Sequence, residues 1–508
     1  MSFHPPEQFN IADYFLDARV REGRGERIAL ITDEGRLSYG QVEVLANRFG
    51  HLLRQAGAEP EQRVLIALPD SPAFVGALFG TLKIGAVVVM VNPELKPEAI
   101  EYFLNYSRAT VAVIHRDVSK AFEAAAGRSI HLKQLLVVED AGWQERLADA
   151  PAALANFPTH RDDAAIWLFS GGTTGHPKAV VQTHTSFANT TECYARQVIG
   201  YTETDVTLSV PKLFFGYATG TNLLFPFAVG GATALFSERS EAPTLFDVIE
   251  RYRPTILTSV PTMIGAMLNA PGAAGRDLSS LRLVLSAGEA LPPELYRRWK
   301  ETFGVEILDG IGSAEMFHIY ISNYPGDVVP GSLGRLVPGY DARIVGPDGA
   351  DVPPGEAGTL WIKGESAAIL YWQAHEKSKE TLRGDWVVTG DHMRRDEGGY
   401  FWYEGRTDDM LKVGGIFVSP CEVENCLLQH PVVAECAVIG YKDRDGLIKP
   451  KAYVVPRDRL GDDALARELQ DFVKTRLAPF KYPRVVEFAL SLPKNDRGKI
   501  DRRRLAAS

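Results

Sequence analysis

The sequence predicts an α/β protein of more than one domain, and three observations predict it. A chain of 508 residues is too long for one comfortable hydrophobic core. Helix-period and strand-period patterns alternate from the beginning to about residue 330. From about residue 331 the pattern turns β-rich, and near Arg406 a further unit begins that is large enough to fold by itself. The expected organisation is a large N-terminal domain, 1–405, with mixed sheets and a β-rich subdomain. A short connection, 406–410, and a small α+β domain, 411–508, follow it.

In chain order, 39–53 has the apolar spacing of a helix and 63–68 that of a strand. A helix over 72–82 carries its proline in the first turn, where a missing N–H costs little. Short buried strands follow at 87–91 and 110–114. Similar units recur at 206–210, 232–236, 255–258 and 281–286, with a helix over 292–302. Alternating strands at 341–345, 358–363 and 399–403 make up the β-rich part. Strands at 435–439 and 450–455 and a helix around 464–477 make up the last unit.

Composition narrows the function classes. The chain is 45% hydrophobic and 23% charged, as ordinary globular proteins are. A formal net charge of −9 argues against a nucleic-acid surface, and the short run Arg502–Arg503–Arg504 reads as solvated. The first residues show no basic segment followed by an apolar one, and no window is apolar enough to span a membrane. The four cysteines form neither a disulfide framework nor a close metal pair, so a cytoplasmic protein is expected.

The most informative segment is 169–181. The apolar run Ile166, Trp167, Leu168 and Phe169 reads as the end of a buried strand. Ser170, Gly171, Gly172, Thr173, Thr174 and Gly175 follow, and then His176, Pro177 and Lys178. Glycines let backbone N–H groups approach a phosphate, hydroxyls add donors, and the lysine adds charge. The spacing is not G-x-x-x-x-G-K-[ST]. A polar surface turn has the same composition, and the run by itself leaves that alternative open.

Six segments in order resemble the adenylate-forming acyl-CoA synthetase family. They are SGGTTGHPK at 170–178, SAGEALP at 286–292, Ile311-Gly312-Ser313-Ala314-Glu315, Thr389-Gly390-Asp391, Gly405-Arg406-Thr407-Asp408-Asp409, and PKNDRGKI at 493–500. The resemblance implies a phosphate loop at Ser170–Gly175 and Lys178, with Thr173 acting in catalysis. It places the purine slot at Gly288, Glu289, Asp309, Gly310 and Ile311, and the ribose contacts at Asp391 and Arg406. Glu315 becomes a Mg²⁺ ligand, suited to that hard cation. Lys499 becomes the catalytic lysine of the adenylation step, and Asp408 the hinge about which the small domain turns. Gly414 and Gly415 would let the pantetheine arm of coenzyme A pass. Ala314 departs from the family's usual threonine, a loss of about 0.5–1.5 kcal/mol of hydrogen bonding that Ser313 or a water can offset.

The acyl pocket resembles that of benzoate:CoA ligases at Phe215, Gly216, Tyr217, Gly312, His318 and Ile319, with Phe215 as the mobile aromatic before the pocket. Gly216 is smaller than the alanine usual there; the missing methyl would either admit a ring substituent or be filled by a backbone shift. The resemblance therefore implies ATP-dependent ligation of benzoate or a simple substituted benzoate to coenzyme A, with ATP, Mg²⁺ and coenzyme A as co-substrates and no tightly bound organic cofactor. A small aliphatic, alicyclic or heteroaryl acid is the alternative substrate, and a non-catalytic adenylate-binding protein the alternative class. No nucleic-acid or membrane partner is expected, and a homodimer is allowed.

Overall fold

The computed structural model describes residues 3–170, 176–406, 410–413, 416–444, 447–457, 460–494 and 500–507. A seven-stranded sheet has the order Leu370–Tyr371, Lys178–Thr183, Ala164–Ser170, Val87–Met90, Arg63–Ala67, Val111–His115, Gln134–Val138. Its five last-named strands are parallel, and Lys178–Thr183 turns back antiparallel on Ala164–Ser170. A nine-stranded sheet runs Arg335–Leu336, Ile319–Ser322, Glu306–Gly312, Leu283–Ala287, Ile256–Ser259, Val206–Ser209, Ala232–Ala234, Ile28–Thr32, Gly35–Ser38. Its middle is parallel and both margins are antiparallel.

The helices between these sheets start where the sequence marks them. Ser38 and Gln41 form a reciprocal cap on helix Tyr39–Gln55, and Ser71 caps helix Pro72–Lys83. These two helices cross closely enough that a Cβ at Gly80 would lie 2.8 Å from the Ala46 carbonyl oxygen and 2.8 Å from the Gly50 nitrogen. The β-rich subdomain is a five-stranded sheet built on Ala357–Lys363 and Trp386–Arg395. Thr389-Gly390-Asp391 lies within the strand Trp386–Arg395. Gly390 adopts a left-handed φ of 74°, and Asp391 still pairs across the strands with Arg406.

The C-terminal residues form a three-stranded sheet, Val433–Lys442, Ile448–Pro456 and Val485–Phe488, packed on helices Pro420–Leu428 and Asp463–Lys474. Glu424 receives the Val438 N–H at 2.6 Å, and the guanidinium of Arg502 closes on the same carboxylate. Asn269 of the large domain accepts hydrogen bonds from Arg457 of this unit at 2.9 Å and from Arg298 at 3.0 Å. All four cysteines are free thiols. Among the described residues no helix is long and apolar enough to cross a membrane.

A buried ion pair closes the N-terminal segment onto the second helix. Lys83 Nζ lies 2.7 Å from both Asp17 carboxylate oxygens, with Asn156 donating to one of them at 2.7 Å. Lys83 is 1% exposed and Asp17 5%. Removing one member of a buried pair strands the other in a poor solvent for charge. Lys83→Met is expected to cost about 3–5 kcal/mol, read as a drop in melting temperature and urea midpoint. Lys83→Met/Asp17→Leu should recover part of that loss.

Candidate active site

The site is built at the carboxyl ends of the parallel strands, where α/β sheets bind ligands because backbone loops diverge there. Ser170 ends its strand and pairs in register with Lys178, which begins the next. The two therefore hold the ends of the glycine-rich turn. Gly171, Gly172, Thr173, Thr174 and Gly175 lie outside the described residues, as do Asp408, Gly414, Gly415 and Lys499.

An aromatic stack that the sequence did not disclose anchors the descending side of this turn. Tyr102 and Tyr106 are four apart on helix Pro97–Ser107, so they project from one face. The Tyr102 ring stacks on His176 with centroids 4.5 Å apart, and its hydroxyl donates to the Pro177 carbonyl at 2.8 Å. The Tyr106 hydroxyl receives the Ala179 N–H at 3.3 Å and donates to the Trp372 carbonyl at 2.7 Å. The i, i+4 tyrosines are visible in the sequence, but their partners are distant in the chain.

At the second sheet, Leu283–Ala287 and Glu306–Gly312 place Ser286 opposite Asp309 and Ala287 opposite Gly310. Asp309 is buried. Its carboxylate accepts from the Ser286 hydroxyl at 2.8 Å and the Leu291 N–H at 3.0 Å, and burial pushes its pKa up to about 7. That side chain is thus engaged in holding 286–291 in place. Gly288, with φ of 92°, and Glu289 follow directly.

Gly312 then turns sharply. A Cβ there would collide with the His318 backbone, so the tight return to Ile319–Ser322 needs glycine. The turn carries Ser313, Ala314 and Glu315, and next to it Phe317 adopts a φ of 63°, a strained conformation for an aromatic residue. Glu315 accepts a hydrogen bond from the Tyr371 hydroxyl, and its carbonyl accepts the Ala368 N–H at 2.8 Å. Ala314 directs its methyl into an apolar cluster with Val180, Ala368 and Tyr371. The neighbouring Ser313 hydroxyl is buried and makes no hydrogen bond of normal geometry with a described residue.

Asp391 and Arg406 meet across paired strands. Arg406 donates to Asp391 Oδ1 at 3.1 Å and to the Thr389 carbonyl at 3.1 Å. Burial raises the Asp391 pKa, Arg406 opposes that shift, and the charge of Glu315 adds to it. The carboxylates of Asp391 and Glu315 therefore share one local field.

Tyr217, on the short helix Gly216–Thr219, and His318 also come together. The His318 ring lies 5.2 Å from the Tyr217 ring and 4.8 Å from Phe225. Its Nε2 lies 3.0 Å from the Tyr217 carbonyl, which can only accept, so the proton sits on Nε2. Burial lowers the pKa of His318 to about 4, which keeps the ring neutral at pH 7. Phe215 packs against Phe214 with centroids 4.4 Å apart. The expectation for Gly216 needs correction. A Cβ there would meet the Leu168 methyl carbons at 3.0 and 3.2 Å, so the space belongs to Leu168 and is not open to a ring substituent.

The chain belongs to the AMP-binding enzyme family, the adenylate-forming ligases. The family profile for the AMP-binding enzyme matches residues 16–372, and that for its C-terminal domain matches 422–499. Within the family the chain lies close to the benzoate–CoA ligases. It is 42% identical to the benzoate–CoA ligase of Thauera aromatica over 99% of this chain and 97% of that protein. Its fold matches an anthranilate CoA ligase solved with anthranoyl-AMP, at TM-score 0.95 and 40% identity over 99% of this chain and 97% of that one. A benzoate CoA ligase from Burkholderia xenovorans LB400 matches at TM-score 0.91 and 41% identity, over 98% and 99% of the two chains.

The Leu168 contact yields a direct test. Gly216→Ala should overpack this corner and cost about 1–3 kcal/mol, measured by thermal unfolding, and Gly216→Ala/Leu168→Val should relieve it. The ratio of kcat/KM for substituted over unsubstituted benzoates should stay the same in Gly216→Ala. A selective loss on substituted acids would show that position 216 faces the ring after all.

Proposed function

We propose that this enzyme converts benzoate or a simple substituted benzoate into its coenzyme A thioester through an acyl-adenylate, releasing AMP and pyrophosphate. The observation that carries the reading is the continuity of two environments. A neutral aromatic wall, Tyr217 and His318, lies beside the turn that presents Glu315, and Glu315 lies in the field of the Asp391–Arg406 pair. A flat apolar acid and a polyanionic nucleotide can thus sit side by side. The relatedness to benzoate–CoA ligases across the whole chain supports the same substrate class.

In the first half-reaction a carboxylate oxygen attacks the α-phosphorus and pyrophosphate leaves. Negative charge builds on phosphate oxygens, so the protein's task is positioning and electrostatic stabilisation. Backbone and hydroxyl groups of 170–175 and the ammonium of Lys178 are proposed to hold the phosphates. The backbone of 288–289 and 309–311 is proposed to line the purine slot. Asp391, steadied by Arg406, has acceptor oxygens for the ribose hydroxyls. Phe215, Tyr217, Gly312, His318 and Ile319 are proposed to surround the acid.

Mg²⁺ fits this donor set. It needs only one or two carboxylates beside substrate phosphates, and Glu315 supplies one, although the described residues hold no cluster of three ligating side chains. When bound, the ion would neutralise developing charge on the phosphates. In the second half-reaction the coenzyme A thiol attacks the acyl carbonyl and AMP leaves. We assign 1–405 to the nucleotide and acyl sites, 406–410 to a hinge with Asp408 at its centre, and 411–508 to a lid carrying Lys499. Gly414 and Gly415 then border the pantetheine path. The free thiols of Cys193, Cys421, Cys426 and Cys436 suit a reducing cytoplasm.

With ATP, Mg²⁺, coenzyme A and a panel of acids, chromatography should show AMP, pyrophosphate and a benzoyl-type thioester. ADP and phosphate would overturn the mechanism, and hexanoate outpacing all benzoates would overturn the substrate class. Lys499→Ala should reduce acid-dependent pyrophosphate exchange by roughly 10²-fold or more. Thioester formation from supplied acyl-adenylate should suffer far less. Equal losses in both half-reactions would remove Lys499 from the role assigned to it.

A further inference from the structure

Tyr371 lies in none of the six sequence segments, yet it joins two of them. It sits on the short strand Leu370–Tyr371, which pairs antiparallel with Lys178–Thr183, placing Tyr371 opposite Val180. That is two residues beyond Lys178, on the strand that descends from the phosphate loop. From this position its hydroxyl donates to Glu315 Oε1. The side chain is 5% exposed.

Other bonds hold the same segment in place. The Ala368 N–H donates to the Glu315 carbonyl at 2.8 Å, and the Ile369 and Trp372 N–H groups donate to the Val181 and Ala179 carbonyls at 3.0 and 2.9 Å. Gln182 Nε2 donates to the Ala314 carbonyl at 2.6 Å. Residues 368–372 are therefore a strap with one edge on the loop's strand and the other on the turn bearing Glu315. An ionised carboxylate can only accept, so the phenol hydroxyl is the donor in this contact.

A carboxylate has two oxygens, and a cation ligand is effective only if one is aimed outward. Without a partner the Glu315 side chain would sample several rotamers, and the entropy of selecting one would be charged to metal binding. Hydrogen bonds to a ligating carboxylate fix its orientation and tune its affinity. We propose that Tyr371 is the positioning residue for Glu315: its hydroxyl occupies Oε1, leaves Oε2 for the nucleotide-bound divalent cation, and keeps that oxygen in register with Lys178 through the shared strand. The assignment rests on Glu315 as cation ligand.

Tyr371→Phe removes one oxygen from a buried ring and leaves the packing in place, which suits it to the test. The Mg²⁺ concentration giving half-maximal pyrophosphate exchange should rise by about 10- to 100-fold, with the rate at saturating Mg²⁺ reduced far less. Mn²⁺ binding in the presence of α,β-methylene-ATP, followed by electron paramagnetic resonance, should weaken in parallel without any turnover. Circular dichroism and the melting curve check that the fold persists. Unchanged Mg²⁺ dependence and Mn²⁺ affinity in Tyr371→Phe would overturn the proposal. So would losses confined to the rate at saturating Mg²⁺. Glu315→Gln separates the two levels of inference. If it weakens Mn²⁺ binding and Tyr371→Phe does not, Glu315 stands as ligand and the positioning role falls. If Glu315→Gln leaves binding intact, the ligand assignment itself falls and takes the positioning role with it.

Discussion

The antiparallel pairing of Lys178–Thr183 with Ala164–Ser170 is the constraint on which the site depends. It is a reversal at the margin of an otherwise parallel run, and it brings the two ends of the glycine-rich turn face to face at Ser170 and Lys178. The returning strand offers its far edge to Leu370–Tyr371 and its Gln182 side chain to the Ala314 carbonyl. Tyr106 and Trp372 lock its first residues against helix Pro97–Ser107. A displacement of this one strand would be felt at the phosphate loop, at Glu315 and at the helix together. Backbone hydrogen bonds suit such a junction because their register is quantised: a strand slips by whole residues or stays where it is.

The acyl side is organised by burial rather than by backbone register. The His318 ring is surrounded by Tyr217, Phe225, Tyr194 and Phe317, and the hydrogen bond from its Nε2 to the Tyr217 carbonyl selects one tautomer. A neutral imidazole in an aromatic enclosure presents a surface without charge. That suits a flat apolar ring, whereas the cationic and anionic groups of Arg406, Asp391 and Glu315 collect on the side proposed for the nucleotide. Segregating the two environments avoids burying an unpaired charge beside the ring, which would carry a desolvation cost.

Much of the fold was legible because buried strands and capped helices leave local signatures. The strand Asp341–Val345 agrees with its expected bounds, and the helices beginning at Tyr39 and Pro72 start at the expected residues. Trp386–Arg395 was not legible, since Gly390 and Asp391 look like a turn until Arg406 is placed across from them. The irregular helix Thr191–Ile199 also has no clean local period that announces it. Of the site, the motifs name Asp391, Arg406, Tyr217 and His318, but that Asp391 meets Arg406 and Tyr217 meets His318 is visible only in the structure. At Gly216 a missing methyl says nothing about which neighbour fills the space; here Leu168, 48 positions earlier, does so. Tyr102, Tyr106 and Tyr371 went unread for the same reason, their partners being fixed only by tertiary structure.

The contact between Asn269 and Arg457 has a consequence for how the two parts of the molecule can separate. Asn269 Oδ1 also accepts from Arg298 of its own domain, and Arg457 also donates to the Val433 carbonyl of its own. If the small domain swings away, neither group is left orphaned: the amide keeps one donor and the guanidinium keeps one acceptor. Water then takes up the exposed valences at little cost. A junction made of such doubly employed groups behaves as a detent. If the proposed hinge turns, this contact would mark one orientation without trapping the chain there.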